Sequence, residues 1–386
     1  MRTLNVAPVT AVDYRRLAER RLPQFLFDYV DGGANDEETM AANVGDFRRW
    51  RLRQRVMRDV GQVDTSAVLC GQQASMPVAL APIGMAGMMA RRGEAQAARA
   101  AQTAGIPFTT STVGICPVEE VRAATGAPFW FQLYMLRDRG LVSDLLGRAQ
   151  AAGCETLVFT IDLAVTGMRH RDVRNGMLVG GLHGRLARAW QVAMRLQWAL
   201  DVGARGAPHV FGNLRHMVPD PDDLEAYKAL IATQFDPTVT WRDIAWLRSQ
   251  WNGRILLKGI MESEDAAAAV GAGVDGIIVS NHGGRQLDGV ASSIVKLPAV
   301  VAAVGERIEV YLDGGVRNGI DVVKALALGA RGVLIGRPWI WAVAARGENG
   351  LVDFLTVLRR EIAVAMALLG VNDVAAIGAG AVEPAA

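Results

Sequence analysis

Cysteine, histidine and one-sided charge are all scarce in this chain, and each shortage removes a class of function. The only cysteines among its 386 residues are Cys70, Cys116 and Cys154. They form no CxxC pair, which argues against a disulfide scaffold and points to small buried thiols in a reducing compartment. The five histidines, His170, His183, His209, His216 and His282, make no HxH or HExxH, so no metal site is expected. No apolar run approaches the length of a membrane-spanning helix. Arg2, Asp13 and Arg15 interrupt the N-terminus, so no cleaved leader is expected. The 41 basic and 39 acidic side chains leave a net charge of +2, too little to suggest a nucleic-acid partner. What the chain does have is apolar residues, 51% of the total, enough for a large core. Its mean hydropathy of +0.18 is high for a soluble chain and leaves surface attachment to a membrane open.

Eight short apolar runs lead into turns and then into helix-like patterns. They lie at 78–82, 106–111, 129–133, 156–161, 255–258, 276–280, 309–312 and 332–335. The runs are continuous rather than alternating, as strands covered on both faces should be. Eight such units predict an α/β chain folded as a (β/α)8 TIM barrel over 78–345, in a single domain spanning 1–386. A doubly wound sheet is the alternative. No GxGxxG follows a strand to support it, since Gly271 to Gly276 precedes one. Residues 1–75 predict an N-terminal helical extension, with helices at 13–18 and 26–29 ended by Asp31-Gly32-Gly33. Residues 346–386 predict a helical tail.

The fourth and fifth strands are separated by a long insertion, 163–254, on the rim where barrels carry active-site lids. Its stretch from His209 to Asp223, broken by Pro219 and Pro221, cannot be one regular element. If 185–200 is helical, Arg185, Arg188 and Arg195 share one arc, with Trp190 and Met194 opposite. An arginine stripe of that kind suits an anionic bilayer surface.

The barrel geometry directs attention to residues just past the strand ends. Gly314, Gly315 and Gly336 allow close backbone approach to an anion there, and Arg317 and Arg337 add charge, so a phosphate is expected. His282 follows an apolar strand and is the best general base near neutral pH. Asp162, at another strand end, is placed to bond its other ring nitrogen and favour the protonated form. Arg285 is placed to hold an anionic substrate beside that base.

Ser280-Asn281-His282-Gly283-Gly284-Arg285-Gln286-Leu287-Asp288 resembles the signature of the FMN-dependent L-2-hydroxy acid dehydrogenase and oxidase family. The resemblance runs from about Tyr14 to Leu369. It is closest to the bacterial quinone-coupled L-lactate dehydrogenase branch, through Ala90-Arg91-Arg92-Gly93-Glu94, Trp130 to Tyr134 and Phe235-Asp236-Pro237. The (S)-mandelate dehydrogenase branch is a near rival, through Asp162-Leu163-Ala164-Val165. The resemblance implies an FMN site in which Ala81, Pro82 and Gly84 line the reactive face. Ser111, Gln132, Thr160, Lys258 and Ser280 would meet the ring, and Asp313, Gly314, Gly315, Arg317, Gly336 and Arg337 would hold ribityl and phosphate.

By the same resemblance, Arg169 and Arg285 would grip the substrate carboxylate, with Tyr29 and Tyr134 placing hydroxyls around it. His282 would act as catalytic base with Asp162 stabilising the imidazolium, by a hydride or a carbanion route. The family further implies a membrane quinone as acceptor, peripheral attachment to the cytoplasmic face of the inner membrane through about 176–221, and a homo-oligomer such as a tetramer. A cytoplasmic enzyme, an oxygen-using oxidase and a non-catalytic flavin- or phosphate-binding barrel are the alternatives. Gly84, where the family's oxidases often carry alanine, favours a dehydrogenase. Met168, in place of an aromatic, is expected to leave room for a bulky side chain.

Overall fold

The computed structural model describes residues 7–177, 181–217 and 233–385, apart from the side chains of His216 and Met217. Eight parallel strands carry the fold: β4 (Val78–Leu80), β5 (Thr109–Ser111), β6 (Trp130–Leu133), β7 (Thr156–Thr160), β8 (Arg254–Ile260), β9 (Gly276–Val279), β10 (Glu309–Asp313) and β11 (Gly332–Ile335). They pair in the order β4-β11-β10-β9-β8-β7-β6-β5. A parallel bridge between Leu80 and Phe108 joins the two ends and closes the barrel.

Every residue of β4, β6, β7, β9 and β11 is buried, as continuous apolar strands require when helices cover them outside. The barrel interior is filled by a cluster including Ala79, Trp130, Val158, Leu256, Ile278, Tyr311 and Leu334. Side chains alternate along a strand, so the next inward layer toward the carboxyl ends lies two residues on. That layer reads Ala81, Gln132, Thr160, Lys258, Ser280, Asp313 and Gly336. The polar layer begins where apolar packing ends. At the opposite end a hairpin of β2 (Ala67–Leu69) and β3 (Gln72–Ala74) supplies Leu69, Cys70 and Ala74 to the same interior cluster.

The N-terminal extension holds helices Ala11–Arg21, Gln24–Asp31 and Glu38–Gly45. Thr10 and Asp13 form a capping box that starts the first. The extension is not purely helical, because it also contains β1 (Trp50–Leu52), β2 and β3. The C-terminal region likewise departs from a simple tail. Its helix Arg337–Leu368 begins at the rim and breaks at Arg346 and Gly347, and the chain then ends in β12 (Val382–Pro384) paired antiparallel with β1. Residues Asp243–Gln250 form the crossover helix that leads into β8, so the insertion proper is shorter than the spacing of strand patterns indicates.

Within the insertion, helix Gly181–Ala193 ends before Arg195, whose backbone is non-helical. The arginine stripe therefore does not form. Arg188 donates to Gly176 O at 2.6 Å and Arg195 to Leu22 O at 3.0 Å, turning both cations onto the protein. Apolar residues also face outward: Leu182, Leu186, Trp190, Met194, Leu196 and Leu200 are each at least 59% exposed, alongside exposed His183, Arg185 and Gln197. Part of 176–221 and of the His209–Asp223 stretch, namely 178–180 and the residues from 218 onward, lies outside the described residues. Among the described residues no helix is long and apolar enough to cross a membrane.

Candidate active site

The polar layer opens into a cavity at the carboxyl ends of the strands. Most of the expected site residues line it: Tyr29, Ala81, Pro82, Gly84, Tyr134, Thr160, Arg169, Lys258, His282, Arg285, Asp313, Gly314, Gly315, Arg317, Gly336 and Arg337. Four lie behind its wall instead. Ser111 donates to Gln132 Oε1 at 2.9 Å, and Gln132 Nε2 donates to Thr160 Oγ1 at 3.0 Å. Ser280 receives a bond from Lys258 Nζ at 3.1 Å and donates to Asp313 Oδ2 at 2.8 Å. Asp162 reaches the cavity through His282.

His282 is held with unusual tightness for a loop residue. Its φ of 58° lies in the left-handed region, and Gly283 and Gly284 continue in it at 66° and 72°. Three such residues in succession turn the chain sharply at the end of β9; the two glycines take this region freely, and His282 alone bears a strain of the kind found at functional sites. Its backbone N–H donates to Ser280 Oγ at 3.0 Å, and Nδ1 lies 2.8 Å from Asp162 Oδ1. The aspartate fits there because residue 259 is glycine: a Cβ at Gly259 would come within 2.6 Å of Asp162 Cβ.

Burial pulls the His282 imidazole below its ordinary value, and the opposing attraction of Asp162 does not overcome it. Asp162 favours the protonated form, as the sequence predicts, but burial is the larger effect. The depressed value favours the neutral imidazole, with Nδ1 engaged by the carboxylate and Nε2 left to accept a proton. Burial works to raise Asp162, but His282 and Lys258 outweigh it and keep the carboxyl ionised below its usual range. Burial likewise opposes charge on Lys258. Asp313, 3.0 Å away, and Asp162 nevertheless hold the ammonium above its ordinary value.

The same cavity collects guanidinium groups with too little counter-charge. Burial and Arg169 bring Arg285 down to about 9; burial brings Arg317 to about 10; burial and Arg317 bring Arg337 to about 10. All three remain charged at neutral pH. Arg285 donates to Gly32 O at 2.8 Å and lies over the Tyr29 ring at 5.1 Å. Arg337 donates to Asp31 O, Gly32 O and Gly283 O, all neutral carbonyls. Arg317 lies over Trp341 at 5.2 Å. Buried Arg169 Nε has no hydrogen-bond partner. Cations arranged this way call for bound anions.

The Asp31-Gly32-Gly33 turn, which the sequence marks only as a helix end, thus supplies the carbonyls that aim two of these arginines. Val30, Ile83, Val113, Val316, Leu334 and Ile335 also line the cavity, and no polar signature marked them. Met168 does not line it. It is 62% exposed and takes up none of the cavity. Among the described residues no group of histidine, cysteine and carboxylate side chains is arranged to hold a metal.

A flavin mononucleotide fits these groups. Gly314 and Gly315 have φ of 109° and 83°, beside Arg317 and Arg337, a cradle for a phosphate. A Cβ at Gly315 would strike Asn43 O at 1.8 Å, so only glycine passes there. The apolar wall Ala81 to Gly84 with Leu334 and Ile335 offers a face for a planar ring, and Lys258 a fixed cation.

The model of the FMN-dependent dehydrogenase family matches residues 18–384. The L-lactate dehydrogenase of Caulobacter vibrioides is 54% identical over 95% of this chain and 96% of its own length. That of Alcaligenes faecalis is 50% identical over 95% and 97%. Among solved structures, the monotopic membrane protein (S)-mandelate dehydrogenase aligns with a TM-score of 0.92 at 35% identity, covering 98% of this chain and all of that one. A mandelate oxidase aligns at 0.82 and 38% identity, covering 96% and 97%. With its barrel, its anion-seeking rim and a family match across nearly its whole length, the chain belongs to the FMN-dependent dehydrogenase family and is an FMN-dependent oxidoreductase.

Proposed function

We propose that this protein oxidises small (S)-2-hydroxy acids to 2-oxo acids, with L-lactate to pyruvate as the principal reaction, and passes the electrons to a membrane quinone. The observation that carries the reading is His282, backed by Asp162, in one cavity with Arg169 and Arg285. The substrate assignment is supported by relatives named L-lactate dehydrogenase at 50–54% identity.

When bound, FMN supplies the two-electron acceptor for the substrate Cα–H bond. Arg317, Arg337, Gly314 and Gly315 would hold its phosphate, and Lys258 would balance negative charge on the ring. Arg285 and Arg169 bind the substrate carboxylate by charge-assisted bonds, aligning the carbon beside His282. Tyr29 and Tyr134 offer hydroxyls to the carboxylate and the 2-hydroxyl. Burial keeps the Tyr134 phenol well above its ordinary value, so it stays a donor. His282 Nε2 takes one substrate proton, and the Asp162 carboxylate at Nδ1 stabilises the imidazolium that results.

The second reading is oxidation of (S)-mandelate, favoured by the close alignment with (S)-mandelate dehydrogenase. Rates with L-lactate, glycolate and (S)-mandelate under argon, using a quinone analogue and then oxygen, decide between substrates and between acceptors. A colourless protein unable to bind FMN would sink both. His282→Ala should abolish turnover while retaining FMN; unchanged turnover refutes the assignment of the base.

Attachment is proposed to be peripheral, on the cytoplasmic face of the inner membrane. It would occur through the apolar face Leu182 to Leu200 rather than through an arginine stripe. The solved relative described as monotopic supports this. A homotetramer is the proposed assembly, to be checked by sedimentation of the FMN-loaded protein.

A further inference from the structure

The insertion does more than lie over the rim. Its segment Val210 to Leu214 dives into the core, with Val210, Phe211 and Leu214 all buried, and Asn213 is fully enclosed. Asn213 Nδ2 donates to Ser111 O at 3.1 Å and to Thr112 O at 3.4 Å, and its Oδ1 accepts from Val118 N at 2.9 Å. Its own carbonyl accepts from Arg148 Nη1 at 3.0 Å. Beside it, Gly212 N donates to Gly114 O at 2.9 Å. A Cβ at Gly212 would meet Ile115 O and Pro117 N, each at 2.5 Å, so the two backbones touch.

These bonds grip both ends of the loop from Ser111 to Val118. At the middle of that loop stands Val113, which lines the cavity. Val113 Cγ2 lies only 2.7 Å from where a Cβ on Gly84 would be, and Tyr29 Oη lies 3.3 Å from the same point. A second pin runs parallel: the buried Trp198 donates from Nε1 to Met88 O at 2.8 Å, just beyond the Gly84 turn. Trp198 sits between Leu196 and Leu200 of the outward apolar face. The apolar face and the Gly84–Val113 wall are therefore two ends of one hydrogen-bonded unit.

We propose that Asn213 is a positioning residue that sets the Ser111–Val118 loop, and so places Val113 against the substrate side chain and ties the width of the cavity to the membrane-facing insertion. Asn213 touches neither substrate nor cofactor. It acts because a buried amide can satisfy two carbonyls and an N–H at once, fixing the two ends of a loop whose middle is held by Ile115 N donating to Glu94 Oε1 and Met85 N donating to Val113 O. Its loss takes a partner from Val118 N and Thr112 O and one of two bonds from Ser111 O, which still accepts from Gly114 N, and the loop must shift to recover them.

The kinetic part of the test rests on the 2-hydroxy acid reading above; the exchange part does not. Asn213→Ala is compared with Thr65→Ala, which removes the buried bond from Thr65 Oγ1 to Ser75 O near the β2–β3 hairpin. Amide hydrogen exchange in the peptide 111–118 of the full-length protein should quicken about tenfold or more in Asn213→Ala and stay unchanged in Thr65→Ala. The ratio of kcat/KM for (S)-mandelate to that for L-lactate should change about fivefold or more in Asn213→Ala only. If Asn213→Ala does not fold, Asn213→Ser, which can keep one bond, should move both readouts the same way by less. Unchanged exchange, equal effects in the Thr65 variant, or faster exchange with an unchanged ratio each overturn the proposal. Absence of turnover with either acid refutes the functional reading instead and leaves exchange to decide the role of Asn213.

Discussion

Replacing Asp162 by asparagine tests the proposed base most directly, because the side chain keeps its shape and loses only its charge. In the structure Asp162 Oδ1 lies 2.8 Å from His282 Nδ1, with the two side chains only 12% and 16% exposed. When His282 gains a proton, a full cation faces a full anion at that distance. With an effective dielectric near 20 the attraction is about 6 kcal/mol. Hydrogen bonds to charged groups measured by substitution contribute up to about 3 kcal/mol, and a pair this enclosed stands at or above that figure. A loss of about 3–6 kcal/mol from the rate-determining barrier lowers kcat by about 10²–10⁴.

The pH profile gives a second, independent sign. Burial already depresses His282, so in the wild type kcat/KM should fall as pH drops through a value below about 6.5, where the free imidazole becomes protonated. Asp162 is the main force opposing that depression, so removing its charge moves the acid limb to still lower pH while the plateau drops. The assay is anaerobic stopped-flow bleaching of the flavin by L-lactate across the pH range, with FMN content checked in each variant. A plateau within tenfold of wild type, or an acid limb moved upward, would refute the pairing.

Three further outcomes are expected. Arg285→Lys cannot both reach Gly32 O and lie flat over Tyr29 as the guanidinium does, so KM for L-lactate should rise about 10–100-fold with FMN affinity preserved; steady-state kinetics and a flavin titration check it. Gly84→Ala drives a methyl toward Val113 and Tyr29, an overpacking of about 1–3 kcal/mol. It should raise KM more for (S)-mandelate than for L-lactate, and equal KM values in both proteins would contradict that crowding. Leu186→Ser with Trp190→Ser removes two outward apolar side chains, each contributing about 1.5–3 kcal/mol when buried in lipid. Co-sedimentation with anionic vesicles should fall at least tenfold while thermal stability hardly changes, since neither side chain is buried in the protein.

Much of this was legible in the sequence for a definite reason. A parallel strand covered on both faces must be apolar throughout, so eight barrel strands stand out from residue type alone. Their carboxyl ends must stop being apolar where a ligand replaces packing. Thr160, Lys258, Ser280 and Asp313 each fall two residues after an inward apolar side chain, and period-two alternation carries them into the rim. His282 and Arg285 stood out because an imidazole and a guanidinium just beyond a strand have little structural use, whereas Arg169 was indicated only by the family resemblance.

What the sequence could not determine depends on contacts between distant segments. Asp31 and Gly32 read as an ordinary helix stop, yet their carbonyls orient Arg285 and Arg337 from more than 250 positions away. The arginines at 188 and 195 share a helical periodicity, but the helix ends at Ala193 and backbone carbonyls of neighbouring segments capture both, leaving leucine and tryptophan outside. The balance at His282 was undecided as well, because burial and Asp162 act in opposite directions and only the depth of the folded site makes burial the larger. Local pattern fixes which residues are apolar or charged along a strand or helix. Which charge meets which carbonyl, and how much water remains around it, exists only once the chain has closed on itself.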